Sequence, residues 1–325
     1  MSAQRGRLAL SALVALACAA TVLSPAAHAE ELRLHRGRLD AIVWTPDNDA
    51  AALWPVVVFS HGIFMCANQS RFITEAIAAA GYLVIAPNHS DANCSFNREA
   101  REERRSPATS DGMSSDAYAD RARDISAALD ALAADPQLSA HADLSRVALA
   151  GHSLGGYTVL AMGGALPTWK LPRVSAIVAF APFTLPFGTH GNVHDLDAPV
   201  MYQVGSLDPI FTFPVANLEG AYERSPAPKY YVEIAGASHL AWVGGVASGK
   251  EAIVDYAIAF LDCYVKGEPE SVLLQTTELG VAALRRDVGD RITTSWRRFA
   301  DDSARVSDYA AFMDDASVGR AGDVR

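Results

Sequence analysis

The sequence is poor in the features on which several function classes depend. Basic residues are outnumbered, with 27 Lys and Arg against 37 Asp and Glu, and the formal net charge is −10. An acidic chain repels phosphate backbones and anionic lipid headgroups, so nucleic acid and anionic membrane surfaces are not expected partners. Histidine, cysteine and carboxylate residues show no spacing typical of a metal site, and no motif indicates another cofactor.

Long apolar runs are absent except at the N-terminus. Two arginines precede an apolar run over residues 8–23, and a small-residue Ala-x-Ala pattern ends at Ala29. This predicts a secretory signal peptide over residues 1–29, cleaved after Ala29, and therefore a secreted or periplasmic protein. We favour cleavage over a membrane anchor, because the run is short for a span, and over a lipoprotein site at Cys18. No later segment is apolar enough for stable membrane insertion.

Cysteine is also scarce. Three of the four cysteines follow the leader, namely Cys66, Cys94 and Cys263. Cys66 and Cys94 come directly after successive predicted strands, so neighbouring strand ends would bring them together. In an exported protein we favour a disulfide between them over two free thiols. Cys263 lies in a predicted helix and is expected to be a buried free thiol.

The remaining chain shows an alternation of strand and helix patterns from residue 55 to residue 265. Strands are predicted at 55–60, 82–86, 146–150, 174–180, 199–204 and 229–234, and helices at 72–80, 117–134, 214–224 and 251–265. This alternation predicts the α/β class, with a mainly parallel central sheet and helices on both faces. A hairpin over residues 31–44 is expected to add antiparallel strands at one edge.

The chain shows no repeat or linker that would divide the α/β region. We therefore assign residues 30–265 to one catalytic domain. Residues 266–325 form a C-terminal extension that is expected to be partly helical, with short helices at 272–284 and 292–299, or disordered, as for the polar residues 301–325.

One stretch carries most of the functional information. Gly151-His152-Ser153-Leu154-Gly155 follows a strand-like apolar run and precedes a helix-like segment. This is the pattern of a nucleophile elbow, in which a sharp turn exposes Ser153 at the carboxyl edge of the sheet. Gly151 and Gly155 would let the strand and helix backbones approach closely around that turn.

Two partners for Ser153 follow in the order that such a site requires. Asp208 lies just after the predicted strand at 199–204, and His239 follows the strand at 229–234. Asp195 and Asp197 precede their strand and would lie at the wrong edge, so Asp208 is preferred as the acid. His239 would take the serine proton, and Asp208 would orient the imidazole and stabilise its charged form.

A developing oxyanion would need two N–H donors. The residue after the nucleophile, Leu154, is predicted to supply one, and Ile63, at the end of the strand over 55–60, the other. Three aromatic residues, Phe64, Phe183 and Trp242, are predicted to line an apolar substrate pocket, although all three also suit an ordinary core.

With these motifs in this order, the sequence resembles the α/β-hydrolase superfamily. Segments 58–63, 86–91 and 123–125 are similar to the dienelactone-hydrolase-like and platelet-activating-factor acetylhydrolase-like branch, and segment 231–239 to bacterial cutinases and polyester hydrolases. The resemblance implies an α/β-hydrolase fold. Only residues 181–198 separate the two strands between which such folds insert a lid, so no large cap domain is expected. Dienelactone hydrolases use cysteine where this chain has Ser153, and polyester hydrolases an aromatic where it has Ile63.

The expected activity is hydrolysis of carboxylic esters through an acyl-enzyme, on small-molecule or polymeric substrates. Lipase or cutinase-like activity on longer or polymeric esters, and acyl transfer to an acceptor other than water, remain open alternatives. A non-catalytic binding protein is disfavoured because Ser153, Asp208 and His239 are all present. The sequence carries no signal for an oligomeric state.

Overall fold

A nine-stranded sheet organises the part of the chain that the computed structural model describes, which comprises residues 29–47, 53–93, 115–188, 191–244 and 249–289. The strands are β1 Ala29–Arg36, β2 Leu39–Pro46, β3 Trp54–Ser60, β4 Leu83–Pro87, β5 Ala142–His152, β6 Val174–Phe180, β7 Val200–Gly205, β8 Lys229–Ile234 and β9 Val281–Asp287. Their spatial order is β1-β2-β4-β3-β5-β6-β7-β8-β9. Six neighbouring strands from β4 to β8 pair in parallel, so their carboxyl ends share one edge.

Helices cover both faces of this sheet. They are α1 Arg71–Ala79, α2 Ser115–Ala134, α3 Leu154–Leu160, α4 Pro209–Ala216, α5 Ala221–Arg224 and α6 Lys250–Leu261. Alternate residues of β3 face opposite ways, with Val56 and Val58 in the core beside α2 and α3, and Val57 and Phe59 in the core beside α1 and α6. Burial on both faces explains the continuous β-branched composition of this strand. The architecture is the predicted α/β-hydrolase fold, and the described residues between β6 and β7 form no large cap domain.

Both sheet edges are antiparallel. The predicted hairpin is present, since β1 pairs with β2 and β2 with β4. At the opposite edge β9 pairs with β8. The prediction of a helix over 272–284 is therefore wrong. A short 3₁₀ turn occupies Val272–Gln275, and β9 follows it, so the sheet includes residues beyond 265, where the catalytic domain was predicted to end. The predicted helix at 292–299 lies outside the described residues.

The segment after β7 also differs from prediction. A single helix was expected over 214–224, but the chain forms α4, which begins at Pro209, and then the single turn of α5. Proline is favoured at the first helical position because its missing N–H is not needed there, so Pro209 rather than Pro214 marks the start. Within the described residues, no helix is both long enough and apolar enough to cross a membrane.

Candidate active site

The turn between β5 and α3 holds Ser153 in a strained conformation. Its φ is 56° and its ψ is −115°, a backbone region that non-glycine residues rarely adopt. A Cβ added to Gly155 would lie 1.9 Å from the Ser60 carbonyl oxygen, and one on Gly151 would lie 2.4 Å from the Gly155 carbonyl oxygen. Both glycines are therefore required by the close crossing of β3, β5 and α3, as expected for a nucleophile elbow.

The structure brings the three predicted catalytic side chains together. His239 Nε2 lies 3.0 Å from Ser153 Oγ, and His239 Nδ1 lies 2.8 Å from Asp208 Oδ2. Asp208 can only accept when ionised, so Nδ1 carries the hydrogen that it donates to Asp208, and Nε2 is left to accept the serine proton. Asp208 lies between the end of β7 and the start of α4 and is nearly buried, whereas His239 follows β8 and keeps a quarter of its side chain exposed.

The two predicted oxyanion donors are the backbone N–H groups of Ile63 and Leu154. Within the described residues, the N–H of Ile63 has no hydrogen-bond partner. Leu154 is the first residue of α3, and a first-turn N–H has no acceptor within its own helix. The loop that carries Ile63 adjoins the nucleophile, because a Cβ built on Gly62 would lie 3.5 Å from Ser153 Cβ.

A buried arginine contacts this loop from the opposite side. Arg121 on α2 is fully buried, and its guanidinium donates to the carbonyl oxygens of His61 at 2.7 Å and Gly62 at 3.2 Å. It also forms a two-pronged ion pair with Asp91, at 3.1 and 2.9 Å. Burial acts to raise the pKa of Asp91, but the adjacent charge of Arg121 holds that pKa well below its usual value. The carboxylate therefore stays ionised and fixes Arg121.

A second polar chain joins the Ile63 loop to the loop of His239. The Gly62 N–H donates to Gln69 Oε1 at 2.7 Å, and Gln69 Nε2 lies 3.0 Å from His152 Nδ1. His152 Nε2 in turn lies 2.9 Å from the carbonyl oxygen of His239 and donates to it. Burial, aided by the proximity of His239, lowers the pKa of His152 to about 3. His152 is therefore neutral and links the two loops through uncharged hydrogen bonds.

A second arrangement of serine, histidine and carboxylate lies behind the site. Ser60 Oγ is 2.9 Å from His89 Nε2, and His89 Nδ1 is 3.0 Å from Asp124 Oδ2. Ser60 is fully buried, so no substrate can reach its hydroxyl. His61, whose pKa is lowered by burial and by His89 and Arg121, accepts the His89 N–H at 3.0 Å. The two histidines hold the loop after β3, because His61 Nδ1 also donates to the Gly62 carbonyl oxygen at 2.7 Å.

The three predicted pocket aromatics have different outcomes. Phe64 is half-exposed, and Phe183 is partly buried beside the site. Trp242 is not available to substrate: it is fully buried and its indole N–H donates to Gln203 at 3.3 Å, so that prediction is wrong. The aromatic that contacts the histidine is Phe211 on α4, stacked on His239 with ring centroids 3.8 Å apart. Phe183 meets Phe211 edge-to-face at 6.3 Å.

The remaining site predictions concern cysteines and metals. Cys66 is disulfide-bonded, and its predicted partner Cys94 lies outside the described residues. Cys263 is a free thiol whose pKa is raised to about 11 by burial. In the part of the chain that the structure describes, no group of three His, Cys, Asp or Glu side chains could hold a metal ion. The sequence also predicts a long polar excursion over residues 88–116 as a candidate rim of the site, and residues 94–114 of it are outside that part.

Comparison with known proteins gives one family and one curated relative. The model of the dienelactone hydrolase family matches residues 39–239, a range that contains every side chain of the Ser153 site. A monoacylglycerol lipase from Mycolicibacterium smegmatis is 31% identical over 191 residues, which cover 57% of this chain and 55% of that protein. The chain thus spans about half the length of this relative.

Proposed function

The chain belongs to the dienelactone hydrolase family, and we propose that it hydrolyses carboxylic esters through an acyl-enzyme on Ser153. The observation that carries the proposal is the alignment of Ser153, His239 and Asp208 at hydrogen-bond distances around a strained elbow. The family's cysteine nucleophile is replaced by serine here. Serine is a weak nucleophile at neutral pH, so it needs the adjacent base that this geometry provides.

Each group has one part in the proposed reaction. His239 Nε2 takes the proton of Ser153 Oγ as the oxygen attacks the ester carbonyl, and returns it to the leaving alcohol. Asp208 holds the imidazole and stabilises its protonated form. The carbonyl oxygen becomes an anion and accepts from the N–H groups of Ile63 and Leu154. Water then attacks the acyl-enzyme by the same route, with His239 as base.

The proposal is tested by turnover of a ladder of p-nitrophenyl esters from acetate to palmitate. Ser153→Ala is expected to lower kcat by at least about 10⁴-fold and to stay folded, since it removes only one oxygen. Ser60→Ala is the matched control, because Ser60 is also bonded to a histidine that meets a carboxylate but is buried. It is expected to keep most of the activity. Equal losses in both variants, or turnover by Ser153→Ala, would contradict an acyl-enzyme on Ser153.

A second candidate, hydrolysis of long-chain or aggregated esters, is favoured by exposed apolar side chains in the segments that carry the site, which we call the apolar rim. Of the eleven large apolar side chains exposed among the described residues, six lie in the segments that follow β3, β6, β7 and β8, next to site residues, with two of them on α4; the six are Phe64, Leu185, Leu207, Ile210, Phe213 and Leu240. Clustered apolar exposure marks binding surfaces for apolar partners. The M. smegmatis relative is named for action on monoacylglycerols, which is consistent with such substrates. Activity that persists to palmitate in the ladder would support this candidate, and a sharp peak at acetate would oppose it.

We also propose export after cleavage of residues 1–29. The disulfide at Cys66 supports export, since disulfides persist mainly in oxidising compartments. The sheet begins at Ala29, so cleavage after that residue would remove only one residue of β1. N-terminal sequencing of the exported protein should start at Glu30, and an intact Met1 on an active protein would contradict the proposal.

A further inference from the structure

We propose that Arg121, fixed by Asp91, is a positioning residue that aims the N–H of Ile63 at the oxyanion. This inference rests on the proposed ester hydrolysis and goes beyond it, since neither residue belongs to the triad or donates to the substrate. Arg121 lies on α2 and enters the site from behind the loop after β3.

The direction of the Ile63 N–H follows from peptide geometry. In a planar trans peptide the C=O and the next N–H point in opposite directions. Because the Gly62 carbonyl oxygen accepts from Arg121 at 3.2 Å and from His61 Nδ1 at 2.7 Å, the N–H of Ile63 is directed away from both donors. The preceding peptide, between His61 and Gly62, has the same orientation. Its carbonyl oxygen accepts from Arg121, and its N–H donates to Gln69. Among the described residues, Arg121 is thus the one side chain that binds the carbonyl oxygens of both peptide groups, and it shares the second with His61 Nδ1.

The guanidinium itself has little freedom. Asp91 binds two of its nitrogens, and the same carboxylate accepts the N–H of Phe64 at 3.0 Å. Phe64 has a φ of 57°, a strained value for a bulky residue, and this hydrogen bond helps to hold it. The loop is thus fixed on both sides of Ile63, by Arg121 before it and by Asp91 after it.

A purely structural ion pair would not require this arrangement. A buried charge pair is often no more stabilising than apolar residues of similar volume, so stability alone is weak grounds for its presence. Of the two carbonyl groups that Arg121 binds, that of Gly62 belongs to the peptide that carries the Ile63 N–H, and that of His61 belongs to the peptide before it. Preorganised donors act mainly on the transition state, because the oxyanion is absent from the bound ester.

The test compares Arg121→Met and Arg121→Lys with the wild-type protein on a soluble p-nitrophenyl ester. Active sites are titrated with a fluorophosphonate, so that misfolded protein does not count. Loss of one oxyanion donor typically lowers kcat by about 10²- to 10³-fold, and a misaimed donor should approach that. We expect Arg121→Met to lower kcat by about 30-fold or more with KM within about threefold. Arg121→Lys should recover only part of the loss, because an ammonium cannot form the fork with Asp91.

The affinity for a trifluoromethyl ketone distinguishes a positioning role of Arg121 from a purely structural one, which would leave this affinity unchanged. Its adduct with a serine nucleophile carries an oxyanion, so its affinity should fall in parallel with kcat. Leu132→Ala is the matched control for stability, since Leu132 is buried on the same helix about three turns from Arg121. It should lower the melting temperature and leave kcat and ketone affinity per titrated site unchanged. If Arg121→Met is insoluble, Asp91→Asn makes the same test by removing the guanidinium's counter-charge.

The positioning role is overturned if the Arg121 variants keep the wild-type kcat per titrated site, or if their loss of kcat/KM lies entirely in a higher KM. It is also overturned if Leu132→Ala loses as much kcat as Arg121→Met. The proposed function fails separately. A wild-type protein that neither turns over esters nor binds the ketone would remove the acyl-enzyme itself, whereas an active wild type with unaffected Arg121 variants would remove only the positioning role.

Discussion

At the scale of single residues, the site depends on histidines that stay neutral in the folded protein. His152 is buried between Gln69 and the carbonyl of His239, and its pKa is lowered to about 3. In the unfolded chain the ordinary histidine pKa is about 6.5. As the pH falls below that value, the unfolded state binds the proton first, so stability is lost as pH falls and is unaffected above about pH 7.

This linkage predicts a pH-dependent difference for His152→Gln. Between pH 7.5 and pH 4.5 the His152 contribution to the free energy of unfolding should fall by about 2–3 kcal/mol. The variant should be less stable than the wild type at pH 7.5. Between pH 7.5 and pH 4.5 its free energy of unfolding should fall by about 2–3 kcal/mol less than that of the wild type, as measured by urea unfolding at both pH values. His194→Gln, at an exposed histidine, is the control and should keep the wild-type pH dependence. If the free energy of unfolding of His152→Gln had the same pH dependence as that of the wild type, His152 would not be a buried neutral histidine.

Sequence was most informative about residues whose type is dictated by chemistry or by steric fit. Gly151, Ser153 and Gly155 identify the elbow because a strand pattern precedes them and a helix pattern follows, and strand ends then point to Asp208 and His239. Trp242 was assigned wrongly because an aromatic residue near a catalytic histidine suits both a pocket and a core. Phe211 was missed although it lies three residues after Asp208, where a helical turn brings its ring onto His239. Arg121 is 60 residues from His61, whose carbonyl oxygen it binds, and no local sequence pattern predicts that contact.

At the scale of elements, α4 combines site and surface roles. Phe211 faces His239, while Ile210 and Phe213 are 72% and 69% exposed on the same helix. A soluble helix normally turns its apolar side chains inward, so this outward pair is the strongest part of the apolar rim.

The pair allows the second candidate function to be tested separately from the chemistry. Ile210→Ser with Phe213→Ser should leave turnover of dissolved p-nitrophenyl acetate within about twofold. Activity on an emulsified long-chain ester should fall about tenfold, equivalent to about 1.4 kcal/mol of lost adsorption. Val272→Ser is the matched control, at a residue that is 70% exposed outside the rim. An equal loss on both substrates, or none on the emulsion, would oppose a surface role for α4.

The elements at the margins of the sheet were the least predictable. Residues 281–287 contain Ala-Ala-Leu-Arg-Arg, which favours a helix locally, yet they form β9. Strand β8 would otherwise expose unpaired backbone groups, and β9 satisfies them through an antiparallel ladder. Arg285 of β9 also lies over the rings of Tyr222 and Tyr231, each 4.4 Å away. Pairing with the distant strand β8 thus overrides the local helix propensity of residues 281–287, and these residues show no alternating hydrophobic pattern that would predict a strand.

At the scale of the whole molecule, the site is a product of sheet topology. Parallel strands place their carboxyl ends at one edge, so loops after β3, β5, β7 and β8 meet there although Ser153 and His239 are 86 residues apart. This rule is general for open α/β sheets, and it is why the fold class and the three aligned side chains could be inferred together. The networks behind the edge, through Arg121 and Gln69, depend on packing that only the folded structure displays.

The most direct test of the account is to react the mature protein with a fluorophosphonate and to map the adduct by peptide mass spectrometry. Only a serine activated by a neighbouring base should be phosphonylated at a useful rate. We predict one adduct per chain on Ser153, absent from Ser153→Ala and retained in Ser60→Ala. Ester turnover without an adduct, or an adduct on another residue that survives Ser153→Ala, would contradict a Ser153 acyl-enzyme.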